Sequence, residues 1–144
     1  MEDQQRLNSL LNEINAYRQQ ADLIQQQIEL IQASIAEIDA FMNTLSDIEG
    51  QESVEAFVPV GAGSFMKGEL KSTDEIIVSI GAGIAIKKDA DGARKIISGQ
   101  KKELEDSRDK MLANLQQVTD VAGNLQAQAE QIAAAAQGNM TQMG

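Results

Sequence analysis

The 144-residue sequence has no cysteine, no histidine and no tryptophan. Without Cys or His there is no disulfide framework, no thiolate or imidazole metal site, and no Ser-His-Asp or Cys-His triad. Aromatic rings are scarce too, with three Phe and one Tyr. A compact globule of this length normally buries more large rings, so a narrow aliphatic core is expected. The single proline leaves room for long uninterrupted helices. Basic residues number 12 against 22 acidic ones, for a net charge of −10. Binding a phosphate backbone needs a basic footprint, so nucleic acid is excluded as the main partner. Neither a signal peptide nor an apolar run of about 18 residues is present. The expectation is a cytoplasmic chain with no membrane partner.

What is present is periodicity. From Leu7 the apolar positions run Leu10, Ile14, Tyr17, Ala21, Ile24, Ile28, Ile31, Ile35, Ile38, Met42 and Leu45. The steps alternate three and four without a slip, which keeps one narrow seam facing a partner helix. No Gly or Pro interrupts 1–48, and Gly50 offers a C′ stop. A second seam runs Ile97, Lys101, Leu104, Arg108, Met111, Leu115, Val118, Ala122, Leu125, Ala129, Ile132 and Ala136. Lys101 and Arg108 intrude, but their aliphatic stems can lie along an apolar groove. Asp91 is the expected N-cap of this second helix. The two segments are nearly equal in length and flank a short insert, which fits a helical hairpin. Paired antiparallel, Leu45 meets Ile97, Ile28 meets Leu115, and Ile14 lies opposite the smaller Ala129, a large-against-small layer that packs well.

Residues 54–88 differ. Val54, Ala56, Val58 and Val60 alternate, and Ile76, Ile77, Val78 and Ile80 form a β-branched run. Glycines punctuate at 61, 63, 68, 81 and 83. We read four short strands in two hairpins, turning near 61–64 and 81–83 and joined by the polar link 71–75 (KSTDE). Pro59 cannot donate to a ladder, so its strand lies at an edge or carries a bulge. Isolated hairpins are marginal in water and open edges recruit strands, so the insert argues for oligomerisation. The fold class is therefore mainly α with β. It is a long antiparallel two-helix coiled coil (1–50 and 91–144) joined by two β-hairpins (51–90) that oligomerise, strands from several subunits completing a sheet or barrel.

No motif supports catalysis. The segment 63–68 (GSFMKG) has the first glycine spacing of a P-loop, but Glu69 stands where that motif requires Lys, and a carboxylate there repels phosphate. The two Gly-Ala-Gly elements lack the third glycine of a dinucleotide fingerprint. The stretch 89–92 (DADG) lacks the glycine placement and distal Glu of a calcium loop and reads as helix entry. Carboxylates such as Glu105 and Asp109 sit at helical spacing among Lys and Arg, as on a solvated face. We expect no enzyme, no cofactor and no metal.

The chain-terminal ends of the helices are more telling. From 111 to 144 only Asp120 and Glu130 are charged. Opposite them lie Leu7, Leu10, Leu11 and Ile14, with Leu11 widening the apolar face. Met140 and Met143 lie beyond the last clear layer, and flexible thioethers adapt to irregular apolar partners. An ordinary coiled-coil core with a frayed tail explains the same composition.

The stretch 57–70 (FVPVGAGSFMKGEL), followed by 80–87 (IGAGIAIK), resembles the centre of the prefoldin family, in the archaeal form of its α class. The resemblance spans helix, two hairpins and helix, and two hairpins rather than one match the α class over the β class. Val60 stands where Leu is common, and 84–86 (IAI) where an aromatic is common. The resemblance implies a hexamer of two α and four β subunits, with the hairpins closed into barrels and the coiled coils projecting around a cavity. It implies an ATP-independent chaperone that holds unfolded clients at the coil tips and delivers them to a group II chaperonin. On that reading Leu7, Leu10, Leu11, Ile14, Leu125, Ile132, Met140 and Met143 contact clients. Val58, Val60, Phe65, Ile77, Val78, Ile80, Ile84 and Ile86 serve assembly. The rival is a structural coiled-coil spacer or tether without chaperone activity, which explains both seams but not the two-hairpin insert.

Overall fold

The computed structural model describes residues 2–71 and 74–143, and the side chains within that range except those of 137–143. The chain runs α1 (Glu2–Ile48), β1 (Val54–Gly61), β2 (Ser64–Leu70), β3 (Ile76–Gly81), β4 (Ile84–Lys88) and α2 (Ala90–Met143). The four strands form two separate two-stranded antiparallel sheets, β1–β2 and β3–β4. The fold class read from the sequence is the observed one, two long helices with two small hairpins between them. The chain divides into a terminal unit (1–32 with 106–144) and a central unit (33–105).

α1 has no interior helix breaker, and Glu2 and Asp3 place negative charge at its N-terminal dipole. It stops where expected. Gly50 takes φ +83, and the Glu49 and Gln51 N–H groups donate back to the Leu45 and Ile48 carbonyls at 2.9 and 3.2 Å. α2 begins two residues earlier than expected, and the cap is Asp89 rather than Asp91. The Asp89 carboxylate accepts the Gly92 N–H at 2.8 Å, satisfying an N–H that has no intrahelical partner. A Cβ at Gly92 would lie 2.8 Å from that same oxygen, so the cap needs glycine there.

In the terminal unit every seam position is buried or half-buried. Ile24, Ile28 and Val118 form one core cluster with Tyr17, Ala21, Met111 and Leu115 against it. Leu10, Ile14 and Ala129 form another with Leu7, Leu125 and Ile132. The antiparallel layers Ile28 with Leu115 and Ile14 with Ala129 are thus observed. Each fully buried aliphatic side chain contributes about 1.5–3 kcal/mol relative to exposure.

The central unit is built around Leu45, Val78 and Ala93, with Phe41, Ile76, Ile96 and Ile97 packed against them. The second hairpin therefore rests on its own helices, and the Gln100 side-chain amide also donates to the Ser79 carbonyl at 3.0 Å. Lys101 lies half-buried in the seam with its ammonium 2.6 Å from Asp39, as a snorkelling stem allows.

Both hairpins turn through the same device. Ala62 and Gly63 take φ +52 and +72, and Ala82 and Gly83 take +53 and +74. Two successive positive φ values match the right-handed twist of the flanking strands. The register slips between Pro59 and Gly61, and again between Ser79 and Gly81. Pro59 lies on an edge strand beside the first slip, and the second occurs without a proline, so the slip belongs to the turn that both hairpins share.

Candidate functional surfaces

The registers decide which side chains share a face. Val54 pairs with Leu70, Ala56 with Gly68 and Val58 with Met66, so one face of β1–β2 is wholly apolar. A Cβ on Gly68 would sit 3.1 Å from Val58 Cγ2, so glycine lets Val58 lie flat on that face. The opposite face carries Glu55 with Glu69, Phe57 with Lys67 and Pro59 with Phe65. Neither face is covered: Val58, Met66 and Leu70 are exposed on one, and Phe65 and Phe57 on the other, Phe57 at 74%. The Lys67–Glu55 pair at 3.3 Å is solvated and adds little to stability.

The second hairpin is two-sided in a different sense. Val78 pairs with Ile86, and Val78 is only 3% exposed, in the core with Leu45 and Ala93. Ile77, one residue earlier, points the other way and is 73% exposed. Of the residues named for assembly, Val58, Val60, Phe65, Ile77, Ile80 and Ile84 are thus open on the surface. Ile86 is half-buried and Val78 is committed to its own chain's core. Sequence reading missed Phe57, Met66 and Leu70. Phe57 is out of phase with the alternating valines, and that was the available signal that the charged face also carries exposed rings.

In the terminal unit a groove of about 420 Å³ opens beside the seam. Leu7, Leu11, Ile14, Ala129 and Ala133 line it, with Arg18 and Glu130 also on its walls. The Arg18 guanidinium donates to the Gln126 side chain at 2.8 Å. Leu11 is 46% exposed, whereas Leu10 and Ile14 are buried in the coil and Leu7, Leu125 and Ile132 are half-buried. Met140 and Met143 lie outside the described side chains.

In the central unit Arg94 forms a two-pronged ion pair with Glu49. That hydrogen bonding and the charge of Arg94 together hold the Glu49 carboxyl below its ordinary range, against a smaller opposing effect of desolvation. Among the described residues no helix is long and apolar enough to cross a membrane.

Paired helices carrying one hairpin exposed on both faces and a second exposed on one define a coiled-coil subunit of the assembling kind. The sequence profile of the Prefoldin family (prefoldin subunit) matches residues 17–135. The prefoldin subunit alpha of Methanobrevibacter smithii is 73% identical over 144 residues, covering 100% of this chain and 99% of its own. That of Methanopyrus kandleri is 40% identical over 110 residues, 74% of this chain and 69% of its own. A cryo-EM structure of filamentous PFD from Methanocaldococcus jannaschii superposes with a TM-score of 0.70 over 81% of this chain and 98% of that one, at 22% identity, a likeness of fold. The chain belongs to the prefoldin family, and its relatives are alpha subunits of archaea. This is a chaperone-type family and not a family of enzymes.

Proposed function

We propose that the chain is the α subunit of a cytoplasmic, ATP-independent chaperone complex of two α and four β subunits. The hairpins of all six close into β-barrels, and the coiled coils hold unfolded clients and hand them to a group II chaperonin. The observation that carries this reading is the β1–β2 hairpin with both faces exposed. A two-stranded sheet in that state is marginal alone, and strands from neighbouring subunits supply the missing cover. Client capture rests on the apolar groove beside Leu11. One such contact, at roughly 25 cal/mol per Å² of apolar area, is weak and reversible. Several coils acting on one client raise its effective concentration at each, and weak single contacts leave handover possible. The acidic surface keeps apolar-ended coils from adhering to one another.

The test is to mix the chain with an archaeal prefoldin β subunit, measure the mass of the product, and add it to a chemically denatured client. A hexamer that suppresses aggregation supports the reading. A spacer assembles or not but leaves aggregation unchanged, and that outcome refutes client capture.

A further inference from the structure

The terminal unit has two flanks of opposite character. Arg18 and Gln126 each follow a seam residue by one position, and they touch. Their contact marks the flank that also holds the groove, with Glu130 on its wall. Residues that precede Ala21, Ile28, Ala122 and Ala129 by one position lie on the other flank. They are Gln20, Gln27, Val121 and Gln128, and all are exposed. Leu23 and Leu30, one heptad apart on α1, lie just outward of this row and are 60% and 70% exposed. The charged residues of 16–30 and 114–131 are Arg18, Asp22, Glu29, Asp120 and Glu130, and the helical repeat places every one on the groove flank or the outer surface.

A chain of net charge −10 thus keeps one side of its coil free of charge over several turns and sets two leucines on it. Leu23 and Leu30, one heptad apart, form with Val121 an apolar stripe on a flank that carries no charge. Three aliphatic side chains are too few for a lasting subunit interface, which needs about 1,000 Å² of buried surface. The amides of Gln20, Gln27 and Gln128 make no hydrogen bond within the chain among the described residues, and each can donate and accept. Such a surface suits an extended backbone with uncharged side chains, held loosely. We propose that this flank is a second contact surface for unfolded polypeptide, taking uncharged aliphatic segments alongside the coil. The inference rests on the client-holding reading above and assigns to that activity a site separate from the groove.

The test uses the assembled complex with a photo-crosslinking phenylalanine analogue at Gln27 or, separately, at Leu11, and reduced denatured lysozyme as probe. Capture of lysozyme from position 27, absent with native lysozyme, is expected. The pair Leu23→Glu with Leu30→Glu is expected to raise the amount of complex needed for half-maximal suppression of aggregation about fivefold, with helicity and complex mass unchanged. The pair Leu23→Gln with Leu30→Gln keeps helix propensity and is expected to move the same way if the Glu pair loses helicity. Capture from 11 but not from 27 overturns the second surface and leaves the groove standing. Capture from neither refutes client holding itself, and this inference with it. Crosslinks from 27 to other subunits, or unchanged suppression by a folded Gln pair, also overturn it.

Discussion

Glu49 directly follows one helix and Arg94 lies in the first turns of the next, so their ion pair clasps the base of the hairpin insert within the central unit. The pair has a pH signature. The Glu49 carboxyl, ordinarily near 4.5, is lowered in the folded chain. A carboxyl depressed on folding contributes stability that is fully present above its unfolded value and is lost as pH falls through its folded one. Glu49→Gln removes the titration and the charge. Thermal melts are therefore expected to show the wild-type chain above the Gln variant at pH 6, with the two converging as pH drops below the ordinary carboxylate range. A gap that stays constant down to pH 3 would show that the clasp contributes nothing through charge. Residue-scale chemistry also corrects the helix start. Asp89→Ala is expected to cost about 1 kcal/mol because it strips the cap from Gly92, whereas Asp91→Ala leaves that bond in place. Denaturant midpoints of the two variants distinguish them.

At the scale of elements, much of the architecture was legible because two periodicities differ so plainly. The unbroken three-four spacing from Leu7 to Leu45 fixed α1, and every one of its seam residues is buried or half-buried. The Gly-Ala-Gly elements fixed both turns, since the glycines on either side of Ala62 and Ala82 take positive φ without a Cβ penalty. What escaped was the division of labour between hairpins. Ile77 and Val78 are adjacent β-branched residues, and composition cannot say which one faces the helices. Period two makes that a binary choice, settled by the packing of Val78 on Leu45 and Ala93. The cap escaped for a similar reason, because Asp89 and Asp91 both precede a helical pattern. Only the geometry of the Gly92 N–H separates them. The uncharged flank of the terminal unit needed the observed Arg18–Gln126 contact to say which positions lie together.

At the scale of the whole molecule, the assembly proposed above would draw on different faces of the same short strands from those that folding uses. The β1–β2 hairpin offers apolar side chains on both sides, and the β3–β4 hairpin offers one side to its own helices and Ile77 to the outside. Substitutions one residue apart should then fail in different ways. Val78→Asp buries a carboxylate in the central core without a partner, so it is expected to cost several kcal/mol and to lower the melting temperature of the chain even by itself. Ile77→Asp places the same charge on an exposed position, so the isolated chain keeps its helicity and melting temperature within about 0.5 kcal/mol of wild type. In the mixed complex the order reverses in meaning: Ile77→Asp is expected to abolish the hexamer mass while its helices remain folded. Circular dichroism on the single chain and native mass measurement on the mixture read the two effects independently. An Ile77→Asp chain that still yields the full hexamer would place assembly elsewhere, on β1–β2 alone, where Val58→Asp becomes the deciding variant.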